Sequence, residues 1–158
     1  MGTDPALARS FGAAPGKTLP HDPKGAHPLQ QHLARNVVRH AEAPVIREAA
    51  GFQRRVYVGE GGVQSDTCRK EMWGVPAGVG VQPYARAVEE AFLVLEGELT
   101  VGWVDETGKE ATATLGPRDL LLTPAGRSHW FRNAGTGPAT VWTVVGDAKP
   151  ESVAFSPA

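Results

Sequence analysis

Cysteine, methionine and tyrosine are scarce in this chain, at one, two and two among 158 residues. The lone Cys68 excludes an intrachain disulfide and points to a reducing compartment. No charge of either sign is in excess: sixteen Lys and Arg face seventeen Asp and Glu. Near-neutrality removes the electrostatic case for a nucleic acid or an anionic membrane as partner. No apolar run reaches the length of a membrane span, and the first residues carry no leader-like apolar segment. The expectation is a soluble, cytoplasmic protein. Helical periodicity is also missing beyond about residue 50.

What the chain has is turns and short strands. Nineteen glycines and thirteen prolines punctuate it, and its length suits one domain with a real core. Residues 1–34 are rich in Pro, Gly, Ala and His, so they read as an irregular N-terminal arm in which "PLQQHLAR" forms a helical turn or two. His21, His27, His32 and His40 lie in or near it without ligand spacing and read as solvated surface. Residues 35–150 read as one β-domain, and 151–158 as a tail. The strand candidates are "NVVRH", "QRRVYVG", "SDTCRKEMWGV", "EAFLVLEG", "ELTVGWVDE", "EATATLG", "DLLLTPA", "SHWFRNAG" and "ATVWTVVGD". "VDETGKEA" reads as a hairpin turning at Gly108. Many close-set strands with frequent turns predict an all-β sandwich or barrel.

Side chains alternate across a strand, so one buried position fixes the rest. With Glu90 inward, Phe92 and Val94 follow. With His129 inward, Phe131 and Asn133 follow. The result is an apolar cavity holding two ionisable groups, which is costly unless they are paired or bind a ligand.

Two stretches carry a resemblance. Gly78, five residues, Tyr84-Ala85-Arg86, three residues, Glu90, six residues and Gly97 form the first. Pro124, Gly126, His129 and Asn133 form the second, led by Arg118, and twenty residues separate the two. The pattern resembles the cupins, whose first motif has His-x-His where this chain has Tyr84 and Arg86, and whose second begins with Gly where it has Arg118. The resemblance covers about residues 70 to 147 and implies a cupin-type double-stranded β-helix, or jelly-roll barrel. It also implies a homodimer. Activity stays open, since cupins include oxygenases, decarboxylases, lyases, isomerases, polyketide cyclases, epimerases, storage proteins and sensors.

In metal-binding cupins the two histidines, the Glu and the second-motif His hold one divalent ion. Carried over, this chain keeps Glu90 and His129. Arg86 has no lone pair to offer a metal and adds a fixed positive charge, and Tyr84 would have to ionise. No cofactor is the preferred expectation. A divalent Fe, Zn, Mn or Ni ion held by Glu90 and His129, with Gln82 as a further donor, is the alternative. Read without a metal, Glu90 orients His129 as general acid or base, Arg86 binds a carboxylate or an enolate, and Tyr84 donates a proton. That suits a lyase, isomerase or cyclase acting on a small molecule, with Arg86, Phe92, Phe131, Trp142 and Gln82 as substrate contacts. A dioxygenase-like metal enzyme and a non-enzymatic ligand-binding cupin are the competing functions. His129 as a packed core histidine, and Glu90 as a plain ion-pair partner of Arg86, are the structural alternatives.

Overall fold

The computed structural model describes residues 22, 24–146 and 152–154. His21, most of the arm expected over 1–34 and most of the tail expected over 151–158 lie outside the described residues. The chain divides into two units, Met1–Val37 and Val38–Ala158.

The described part of the first unit holds one helix, α1 (Pro28–Asn36). Its start is set locally. His27 is the N-cap, its Nδ1 accepting from the Leu29 amide at 3.1 Å, and Pro28 occupies the first helical position, where its missing N–H costs nothing. "NVVRH", expected as a strand, contributes Asn36 to this helix and Arg39 to a turn. The Arg39 carbonyl accepts from the Glu42 and Ala43 amides.

The second unit is built of strands: β1 (Val45–Arg47), β2 (Gln53–Val58), β3 (Arg69–Val75), β4 (Tyr84–Arg86), β5 (Glu90–Glu96), β6 (Leu99–Val104), β7 (Glu110–Leu115), β8 (Leu120–Thr123), β9 (Ser128–Arg132), β10 (Ala139–Val145) and β11 (Ser152–Ala154). They form a six-stranded sheet ordered β1-β2-β3-β10-β5-β8 and a five-stranded sheet ordered β11-β4-β9-β6-β7. Every strand pairing is antiparallel. This is the two-sheet jelly roll that the strand spacing and the motif resemblance predict.

Alternation places the core. On β5, Glu90, Phe92 and Val94 are fully buried while Ala91 and Leu93 are half-buried on the other face. On β10, Ala139, Val141, Thr143 and Val145 are buried, and Trp142 and Val144 point away. Phe52, Trp73, Phe92 and Phe131 pack ring against ring, with centroids 5.2 to 5.9 Å apart. Each such burial contributes roughly 1.5–3 kcal/mol.

The turns that connect the motifs are specified by their residues. In the β6–β7 hairpin, Asp105 Oδ1 accepts from the Thr107 and Lys109 amides at 2.9 Å each, and Gly108 takes a φ of +82°. At Gly97 φ is +74°, and a Cβ would sit 2.5 Å from the Pro138 carbonyl oxygen, so no side chain fits between β5 and β6. Arg118 is the one described non-glycine residue with a positive φ, at 76°. It stands where the cupin pattern has glycine, and its amide donates to the Val94 carbonyl at 2.8 Å. The left-handed turn is kept, and a Cβ is carried in it at a cost.

Candidate functional site

Glu90 opens β5 in the larger sheet, whereas Tyr84, Arg86 and His129 stand on β4 and β9 of the smaller one. The backbone register puts Tyr84 directly opposite His129, with ring centroids 4.3 Å apart. Tyr84 and Arg86 share a face of β4 because Ala85 takes the other. The "PAGRSH" turn is pinned to β4 by the Gly126 amide, which donates to the Arg86 carbonyl at 2.7 Å.

All four side chains converge on one atom. Glu90 Oε2 accepts from Tyr84 Oη at 2.8 Å, from Arg86 Nε at 3.0 Å and from His129 Nε2 at 2.9 Å. Glu90 Oε1 is buried without a hydrogen-bond partner. The other ring nitrogen of His129, Nδ1, lies 2.9 Å from the Arg127 carbonyl oxygen. Both ring nitrogens face acceptors, so the ring carrying two N–H groups satisfies both contacts. This is a buried acid ringed by donors, an arrangement whose partners are costly to remove.

Protonation states follow. Burial alone would push the Glu90 carboxyl up, but the His129 hydrogen bond, the Arg86 charge and the Tyr84 hydroxyl together hold it below its usual value. Burial and the Glu90 charge push the Tyr84 phenol well above 10. Burial, the largest single influence on Arg86, would lower it, but the charges and hydrogen bonds of Glu90 and Tyr84 together outweigh burial and raise it. Glu90 is therefore ionised, Tyr84 is a neutral donor and Arg86 is a cation.

A cavity of about 360 Å³ opens between the two sheets. Tyr84 and Arg86 line it. Neither Glu90 nor His129 does, since both are sealed behind those two. The sequence-based expectation that the acid and the imidazole both face the cavity is corrected here: the cavity meets the phenol and the guanidinium.

The substrate contacts expected from sequence divide. Phe131 lines the cavity, as does Arg86. Phe92 is fully buried beneath Trp73, Phe131 and His129, so it packs the core instead. Trp142 lies on the outer face of β10, against Tyr57 at 5.3 Å, because its neighbours Val141 and Thr143 take the inner positions. Gln82 is exposed and lines a separate outer depression with Trp130 and Arg132, so it reaches neither Glu90 nor the cavity. Asn133 serves the fold. Its Nδ2 donates to the Val75 and Gly137 carbonyls at 2.8 Å each, and its Oδ1 accepts from the Gly135 amide.

Two cavity residues, and the buried acid behind them, escape a reading from sequence. Arg54 and Arg69 line the opposite wall, on β2 and β3, and meet the buried Glu71. Glu71 Oε1 accepts from Arg54, and Oε2 accepts from Trp73 Nε1 at 2.7 Å. Charged residues in a strand read as its wet face. The available signal is the alternation Arg69, Glu71, Trp73, Val75, whose last two members belong to the core.

The class defined is a jelly-roll protein with a polar cavity between its sheets. The Cupin_2 (Cupin domain) family model matches residues 71–146. Germin-like protein subfamily 3 member 3 of Arabidopsis thaliana is 26% identical over 117 residues, 73% of this chain and 50% of its own. Oxalate decarboxylase of Lactobacillus farciminis superposes with a TM-score of 0.62 at 14% identity, over 73% of this chain and 34% of its own. Peruvianin-I, described as a cysteine peptidase from Thevetia peruviana latex, gives a TM-score of 0.67 at 19% identity, over 84% of each chain. The chain thus spans half or less of the first two relatives' length. The family match, the germin-like relative and the structural neighbours all indicate the cupin superfamily.

The germin-like and oxalate-decarboxylase relatives are metal-dependent, which overturns the sequence-based preference for no cofactor. The side chains present do not, however, fit an ion as metal-binding cupins hold it. Two of the four ligand positions are a neutral phenol and a guanidinium, and the remaining Glu90 and His129 are bonded to each other. Among the described residues no group of three or more His, Cys, Asp or Glu is placed to hold a metal ion. No helix among them is long and apolar enough to cross a membrane.

Proposed function

We propose that this cupin is an enzyme that holds a small carboxylate-bearing molecule against Arg86 and moves a proton to or from it through Tyr84. Lyase, isomerase or cyclase chemistry fits that pair. The observation that carries the reading is the single oxygen, Glu90 Oε2, accepting from Tyr84, Arg86 and His129 at once. Arg86 supplies a fixed cation and a planar fork for a carboxylate or a developing enolate. Tyr84, kept neutral by its surroundings, meets the reacting atom. Glu90 and His129 are positioning residues and a proton store. When Tyr84 gives its proton to the bound molecule, Glu90 Oε2 passes one on from His129 Nε2. The imidazole left behind keeps its Nδ1 proton on the Arg127 carbonyl.

The test is exchange of carbon-bound hydrogen in heavy water, followed by NMR on a panel of small 2-oxo and 3-oxo carboxylates. Wild type is expected to exchange the hydrogen next to the carbonyl of the compound it binds. Tyr84→Phe is expected to bind that compound within a few-fold and to lose at least about 100-fold in exchange. Arg86→Gln is expected to lose binding. A compound that binds wild type tightly and never exchanges would leave a carrier or sensor. A homodimer is part of the reading: β8 is an edge strand and carries the exposed Leu120 and Leu122. A monomer in sedimentation velocity at micromolar concentration would remove that part.

A further inference from the structure

The cavity has a second cationic pole that the proton chemistry leaves unused. Arg54 and Arg69 stand on β2 and β3 of the six-stranded sheet, facing Tyr84 and Arg86 on β4 of the five-stranded one. We propose that the cavity takes a molecule with an apolar body and two separate anionic groups, one held by Arg86 and the other by Arg69 with Arg54. The inference rests on the reading above in taking Arg86 as an anchor, and it adds the substrate class.

Five observations carry it. Arg69 Nε lies 3.1 Å from Glu71 Oε1, outside hydrogen-bonding geometry, and its N–H is buried with no hydrogen-bond partner. An unsatisfied donor on a buried cation is costly, and a ligand oxygen would satisfy it. Charge at this pole is also unbalanced. The one buried carboxylate, Glu71, faces both Arg54 and Arg69 and also accepts from Trp73. Glu48 reaches Arg54 from the rim, where about a third of its side chain is exposed, so water screens it. Burial lowers the Arg69 pKa, Glu71 opposes this, and Arg54 and Arg86 push the same way as burial; another anion in the cavity would relieve that strain. Between the poles the wall is aromatic, formed by Phe52, Trp73 and Phe131, which selects a hydrocarbon body over a bare pair of carboxylates. A volume of about 360 Å³ holds a ring or a chain of several carbons.

The experiment is calorimetric titration of the full chain with matched probes: adipate against hexanoate, isophthalate against benzoate, and oxalate as a dianion with no body. Wild type is expected to bind each dianion with a body about tenfold or more tighter than its monoanion, and tighter than oxalate. Arg69→Gln is expected to bring the dianions down to the monoanion level while benzoate is unchanged. Arg69→Lys, which keeps the charge and loses Nε, is expected to fall between. Arg86→Gln should weaken every probe. Equal binding of dianion and monoanion by wild type would overturn the proposal with no variant needed. So would oxalate binding as tightly as adipate, or an equal loss of both probe classes in Arg69→Gln or Arg69→Lys, which would mark Arg69 as a structural ion pair. Probe binding untouched by Arg86→Gln would instead remove the anchor on which the proposed function stands.

Discussion

His129 Nε2 and Glu90 Oε2 meet at 2.9 Å, from strands of different sheets, with both side chains almost wholly withdrawn from solvent. This contact ties the two sheets together at the end where the cavity lies. Its stability consequences are separable from any catalysis.

Removing the charge at Glu90 leaves a buried guanidinium facing no anion and takes the carboxylate acceptor from Tyr84 and His129. Glu90→Gln is expected to lower unfolding stability by about 3–5 kcal/mol, the range for breaking a buried pair from one side. Urea denaturation measures it. A loss under about 1 kcal/mol would mean that the carboxylate is not the hub of the site.

Acid should act through the same group. The Glu90 carboxyl is held below its ordinary value near 4.5 when folded, so the stability it contributes is complete above that pH. It is lost as pH falls through the folded value. Tyr84 has the opposite sign: its folded pKa is raised well above 10, so its contribution is complete below 10 and is lost as pH rises through the folded value. Denaturation curves across pH are expected to show both limbs. Glu90→Gln should flatten the acid one and Tyr84→Phe the alkaline one.

The left-handed Arg118, with φ at 76°, is a strained position in an otherwise ordinary turn. Arg118→Gly is expected to stabilise the fold by up to about 1 kcal/mol, because relief of the Cβ clash exceeds the added freedom of the unfolded chain. Thermal unfolding of the single variant decides it. A lower melting temperature would show that the arginine side chain has a compensating contact.

Asn133 closes three hydrogen bonds at the Val75 carbonyl, the Gly137 carbonyl and the Gly135 amide. Asn133→Ala strands these groups and is expected to cost about 2–4 kcal/mol with no change in the pH dependence of proton exchange. A shifted pH profile in a folded Asn133→Ala protein would give this residue a part in the site instead.

Trp142 and Gln82, expected from sequence to touch substrate, stand outside the cavity. Trp142→Phe and Gln82→Ala are therefore expected to leave probe affinities within about twofold in the titrations above.

Most strands and the inward set were legible because a sheet has a period of two, whereas the three-residue strands β1, β4 and β11 are too short to show it and "NVVRH" is no strand. Once Glu90 and His129 are assigned inward, Phe92, Val94, Phe131 and Asn133 follow by counting, and all are buried. Counting also argues against Trp142, since it sits between Val141 and Thr143, and a run of apolar residues hides that parity. Arg54, Arg69 and Glu71 were not legible, because a charged residue in a strand has two outcomes and only its cross-sheet neighbours choose between them.

The amino-acid order by itself determined an all-β fold with its turns and inward faces, because alternation and turn residues are local quantities; the jelly roll and the meeting of Tyr84, Arg86, Glu90 and His129 were implied by the motif resemblance. Tertiary structure alone decided which of the four face the cavity, and it brought Arg54 and Arg69 to the opposite wall. Burial and electrostatic environment depend on which sheet faces which, and no stretch of one strand contains that information.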